Sequence, residues 1–123
     1  MKGFMDLEAW KKSRIFRNNI SGIVKKFPAE EKYRLADQII RSSRSIGNNI
    51  AEGHGRFHYV DSSKFFINAR GSAAETIDHL IIALDEKYIT NEVFDALKFE
   101  GEECMKLING YVTFLRQQAA INN

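Results

Sequence analysis

The chain has 123 residues, a net charge of +2, 44% hydrophobic and 28% charged residues, and only one proline and one cysteine. It reads as one globular domain over 1–123, too short for two and too hydrophobic to be disordered. The lone Cys104 excludes an internal disulfide framework, and no apolar run approaches the roughly 18 residues that would cross a membrane. The first residues, MKGFMDLEAWKKSR, lack the apolar core of a secretory leader, so the expected location is the cytoplasm.

Four helices are predicted, over about residues 6–27, 29–53, 62–87 and 91–118. In the first, Phe16, Ile20, Ile23 and Phe27 recur on one helical face, Leu7 and Trp10 extend it, Asp6 stands at the N-terminus and Pro28 stops it. In the second, Glu30 and Glu31 suit the positive end of the helix dipole, and Leu35, Ile39, Ser43, Ile46 and Ile50 continue an inward face. The third is expected to start behind Asp61, Ser62 and Ser63 as capping candidates, with Phe65, Phe66, Ala69, Ala73, Ile77, Leu80, Ile81 and Leu84 facing inward. The fourth follows Thr90 as N-cap and turns Val93, Leu97, Cys104, Leu107, Ile108, Tyr111, Phe114 and Leu115 to the core. No useful strand-like alternation occurs. Long helices with short connections predict an all-α fold, an up-down-up-down antiparallel four-helix bundle.

One stretch stands out. Residues 41–56, RSSRSIGNNIAEGHGR, use mediocre and poor helix formers yet keep the helical period. Ser43, Ile46, Ile50 and Gly53 form a narrow seam, bordered by Ser42, Ser45, Asn49 and Glu52 on one side and by Arg41, Arg44 and Asn48 on the other. If the second and third helices fold back about His58, positions summing to about 116 lie level, which sets Arg41 opposite Glu75 and Glu52 near Lys64. A partly buried polar network of Arg41, Ser45, Asn49, Glu52, Arg70 and Glu75 is therefore expected, fixing helix register more than adding stability.

The net charge hides an asymmetry. Residues 1–70 carry 14 lysines and arginines against seven acids, whereas residues 71–123 carry four against nine. A basic half can be the footprint of a polyanion-binding protein, unlike halves can join copies head to tail, and both can equally be solvated helix faces. The residues expected to contact nucleic acid are Lys11, Lys12, Arg14, Arg17, Lys25, Lys26, Arg44 and Arg56. With little aromatic interleaving, such contact would be to phosphate and strongly salt-dependent.

Catalytic and metal chemistry finds little support. Gly53 and Gly55, on either side of His54, interrupt the helix and spoil an i, i+4 metal pair of His54 and His58 beside Glu52 and Asp61. Glu75 and His79 occur once, without the second motif that a carboxylate-bridged metal bundle needs, so His79 reads as a helix-surface residue. Cys104 lies on an apolar face and reads as core. No metal, cofactor or catalytic residue is expected, and the protein is expected not to be an enzyme.

The stretch FPAEEKYRLADQIIRSSRSIGNNIAEGHGR, followed by FFINARGSAAET, resembles the four-helix-bundle proteins encoded within intervening sequences of bacterial 23S ribosomal RNA genes. The residues that carry it are Phe27-Pro28, Leu35, Gln38, Ser45, Asn49 to Gly53, and Ala69 to Ser72 with Glu75; Gly47 departs from an alanine or proline. The resemblance implies a homopentameric barrel. It also implies kinship to the accessory variability proteins of diversity-generating retroelements, basic partners of a reverse transcriptase. The expected function is thus a non-enzymatic homo-oligomer that binds RNA or DNA backbone, or a reverse-transcriptase-like or ribosomal partner, and no membrane. The alternative is a purely structural or protein-interaction oligomer with no nucleic-acid role.

Overall fold

The computed structural model describes residues 3–122. Among these the chain forms four long helices and no strand: α1 (Glu8–Val24), α2 (Leu35–His54), α3 (Tyr59–Asp85) and α4 (Asn91–Asn122), with short 3-10 turns at Phe4–Asp6 and Ala29–Glu31. Helix α1 packs on α2 and α4, and α3 packs on α2 and α4, which closes a four-helix bundle around one core. Phe16, Ile20, Ile39, Ile46, Ile50, Phe66, Leu80 and Ile108 are fully buried there. No helix among the described residues is long and apolar enough to cross a membrane.

The helix boundaries differ from the sequence pattern where the chain turns. Helix α1 stops at Val24, before Pro28, because Lys26 and Phe27 donate their N–H groups to Ile23 and Val24 in a tightened last turn. Asp6 lies in the preceding 3-10 turn, and Leu7 occupies the cap position with no side-chain cap. Residues 29–34 are not the first turns of α2. Pro28 is extended, and Glu31 reaches forward to accept the Leu35 N–H at 3.4 Å and the Tyr88 hydroxyl at 2.7 Å. That hydrogen bond to a carboxylate pushes the Tyr88 phenol up to about 12.

Helix α3 begins earlier than expected, at Tyr59, which leaves only residues 55–58 to reverse the chain. Ser62 and Ser63 are therefore interior residues rather than caps. Ser62 Oγ donates to the Gly53 carbonyl across the turn at 2.6 Å, and Ser63 Oγ donates to Val60 one turn back at 2.7 Å. Lys87 ends α3 in the left-handed region at φ 62, with Tyr88 N–H donating to Ala83 and Lys87 N–H to Leu84, the paired bonds of a Schellman motif. Thr90 caps α4 as expected, its Oγ1 accepting the Val93 N–H at 3.2 Å. Three residues assigned inward, Ile81, Leu107 and Phe114, are exposed, because α3 and α4 carry apolar residues over more of their circumference than the core covers.

Two glycines allow the closest approaches. A Cβ on Gly53 would stand 2.9 Å from Phe65 Cβ and from the Phe66 ring, and one on Gly101 would stand 3.0 Å from Ile77 and 3.1 Å from Phe16. Gly71 meets nothing within 4 Å. Gly53→Ala is expected to destabilise the fold by about 1–3 kcal/mol through overpacking. Gly71→Ala is expected to stabilise it by up to ~1 kcal/mol through helix propensity. Urea unfolding of the two variants checks both signs.

Candidate nucleic-acid interface

Between α2 and α3 the small polar residues form a seam of hydroxyls. Ser45 Oγ lies 2.9 Å from Ser72 Oγ, and Asn49 Nδ2 donates to the Ser45 carbonyl at 2.9 Å and to its Oγ at 3.0 Å. Thr76 Oγ1 lies 2.9 Å from Ser42 Oγ and 2.8 Å from the Ser72 carbonyl, all deep in the contact. These pairs, with Ser62 and Gly53, run in opposite sequence sense and make α2 and α3 antiparallel neighbours.

The seam corrects the expected network. Ser45 and Asn49 belong to it, but Arg41, Glu52, Arg70 and Glu75 do not. Arg41 pairs with Asp37 at 3.7 Å, Glu52 with Arg56 at 3.0 Å and Glu75 with His79 at 3.2 Å, each one turn away on its own helix or the adjoining turn. Arg70 is exposed. Arg41 and Glu75 do line one groove together with Gln38, Ser42, Ser45 and Ser72, so they share a side of the bundle without touching. The physical reason is desolvation. The charged heads stay in water, while hydroxyls short enough to satisfy each other occupy the contact.

His79 is buried at 7% exposure rather than on the surface, with Nε2 facing Glu75 and Nδ1 lacking a partner. Cys104 is wholly buried, and burial pushes its thiol up to about 12, against a smaller opposing effect of Lys12. It is a core residue, not a nucleophile. Among the described residues no group of three or more metal-ligating side chains converges.

The eight basic residues expected to contact nucleic acid separate into two sets. Lys11 is paired with Glu8 at 3.5 Å. Arg56 is held between Glu52 at 3.0 Å and Asp61 at 3.7 Å, with its guanidinium 4.4 Å over the Phe65 ring, so its charge is already neutralised. Among the described residues no carboxylate lies within ion-pair distance of Lys12, Arg14, Arg17, Lys25, Lys26 or Arg44. Lys25 and Lys26 sit past the end of α1, away from the others.

The remaining arginines converge on the α1–α2 face. Trp10, Arg14 and Arg17 follow at i, i+4 and i+7 on α1, and Arg44, Asn48 and Ala51 do the same on α2. A cleft of about 350 Å³ between the helices is lined by Phe4, Trp10, Arg17, Arg44, Gly47 and Asn48, together with Ala51. Phe4 stands edge-on to Trp10 with ring centroids 5.3 Å apart, and the Arg14 guanidinium lies 5.8 Å from the indole centroid. The aromatic component that the sequence reading judged slight is therefore present within the basic face. Its signal was the spacing of Trp10 to the two arginines of α1.

The sequence profile of the 23S rRNA-intervening sequence proteins matches residues 5–110 of the chain. The chain belongs to that family. A protein of unknown function from the S23 ribosomal protein family of Bacteroides thetaiotaomicron VPI-5482 has a crystal structure similar to this fold, with TM-score 0.79 at 28% identity over 85% of this chain and 95% of that one. No match was found among curated proteins.

Two measurements check this reading of the site. Thr76→Val is expected to cost about 1–2 kcal/mol by leaving a buried hydroxyl seam short of a partner, whereas Arg41→Ala should stay within ~0.5 kcal/mol. Native Cys104 is expected to resist an aromatic disulfide reagent at pH 8 and to react fully once the chain is unfolded. Because its pKa is raised in the fold, its contribution to stability is complete below the free-thiol pKa of about 8.5 and is lost as the pH rises toward 12.

Proposed function

We propose that this chain is a non-enzymatic, homo-oligomeric helical bundle that binds the phosphate backbone of RNA or DNA through the α1–α2 face. The observation that carries the reading is the convergence of Arg14, Arg17 and Arg44 around one aromatic-walled cleft, with no carboxylate among the described residues at ion-pair distance from them. Uncompensated arginines gathered on one face favour a polyanion, and their planar forks suit phosphate. A nucleic-acid-handling protein, ribosomal or reverse-transcriptase-like, would meet the same face through the nucleic acid it carries.

A second reading rests on a different observation. Ile15, Phe99, Leu107 and Phe114 are exposed on α1 and α4, and Phe99 lies in a shallow groove with Glu102 and Glu103. An acidic, apolar α4 face is suited to packing against the basic face of another copy, which would make the charge asymmetry a device for assembly. The pentamer implied by the family resemblance would be built this way.

The two readings part in solution. Binding of a labelled RNA is expected to weaken with salt with a log–log slope near −2 for three phosphate contacts at about 0.7 each. Arg17→Glu with Arg44→Glu should lower the affinity at least ~10-fold while leaving the mass by light scattering unchanged. Loss of the oligomer in the double variant, with no RNA binding by the wild type at low salt, would favour the assembly reading.

A further inference from the structure

The cleft within the basic face has more structure than a charged surface needs. Backbone phosphates on a duplex can be met by arginines on any convex helix face. Here two arginines instead flank a concavity whose wall is made by the rings of Phe4 and Trp10. Arg44 and Asn48 are exposed on the α2 rim, and among the described residues Arg44 has no hydrogen-bond or ion-pair partner. On the α1 rim, Arg17 is steadied by Asn18, which accepts from its Nη1 at 2.8 Å; this leaves its other N–H groups for a ligand.

Gly47 shapes the cleft. A Cβ at that position would lie 3.1 Å from Ser13 Oγ and 3.5 Å from the indole Nε1 of Trp10. Glycine thus keeps the N–H edge of Trp10 uncrowded on the α2 side. Alanine, one of the residues the family resemblance leads one to expect here, would crowd the buried Ser13 hydroxyl and fill the space beside that edge to ordinary contact.

We infer that this cleft is a subsite for one nucleotide of a single strand, its phosphate held between Arg17 and Arg44 and its base against the Phe4–Trp10 wall. The inference rests on the proposed nucleic-acid reading and narrows its substrate class. About 350 Å³ falls at the small end of ligand-binding clefts, suited to one nucleotide. In a duplex the bases are paired and stacked and none can enter, whereas a single strand can turn one out onto an aromatic wall flanked by arginine.

Trp10 is the only tryptophan of the chain, so its emission reports on the cleft. The experiment titrates the wild type with a fluorescein-labelled 12-nucleotide single-stranded RNA, the single-stranded DNA of the same sequence, the duplex and inorganic phosphate. It follows label anisotropy and, with unlabelled strands, Trp10 emission. The inference expects both signals to saturate together for a single strand, with the duplex and phosphate leaving Trp10 emission unchanged at the same concentrations. Arg44→Ala, at an exposed position, should abolish the emission change and lower the salt slope by about 0.7. Gly47→Ala should weaken the single strand several-fold and leave the duplex unaffected. Strand binding with silent Trp10 emission would overturn the subsite and leave the broader reading standing. Equal responses to phosphate and to the strands would reduce the cleft to an anion site and also overturn it. Absence of binding to every nucleic acid at low salt would remove the broader reading, and the subsite with it.

Discussion

Helices α2 and α3 meet through small residues, a glycine against a phenylalanine ring at the turn and paired hydroxyls beyond it, and the rest of the bundle is arranged around that contact. Gly53 lies under the Phe66 ring, and Ser62 closes the turn by donating to the Gly53 carbonyl at 2.6 Å. Further along, Ser45 meets Ser72 and Thr76 meets Ser42. A hydroxyl buried without a partner is costly, so these pairs tolerate neither a slip of register nor a widening of the gap. The seam also decides where charge can go. Nothing as long as arginine or glutamate fits inside it, and the ionised groups of both helices are displaced to its borders.

Much of this was legible in the sequence because it depends on spacing. The helical period ran unbroken through RSSRSIGNNIAEGHGR, and folding back about His58 placed level positions near a sum of 116, against 117 for Ser45 with Ser72 and 115 for Gly53 with Ser62. What spacing could not settle was which of two flanking residue types enters the contact. Arg41 and Glu75 were level and opposite in sign, yet each finds a partner on its own helix, Asp37 and His79, with both charged heads still open to water. The same limit applies to the ends. Whether Ser62 caps a helix or crosses a turn depends on a four-residue loop, and a hydropathy pattern does not report loop geometry.

Among the candidate site residues, the sequence reading was right about which half of the chain is basic but silent on neutralisation. Arg56 and Arg44 are alike in a composition count. In three dimensions Arg56 sits between two carboxylates while Arg44 stands alone at the rim of a cleft. Pairing therefore removes Lys11 and Arg56 from the list of free cations, and two of the arginines that remain, Arg17 and Arg44, line the cleft that holds the one tryptophan. Phe4 and Trp10 lie six residues apart in the sequence; the 3-10 turn at Phe4–Asp6 brings the first ring edge-on to the second.

The proposed contact of nucleic acid with the α1–α2 face is open to a direct test. Amide hydrogen exchange of the native protein with and without a single-stranded RNA tests it most directly, because it locates contact without altering any residue. Protection confined to residues 4–17 and 44–51 is the expected result. Protection on the outer surface of α4, around Phe99 to Asn109, with none on α1 and α2, would contradict it.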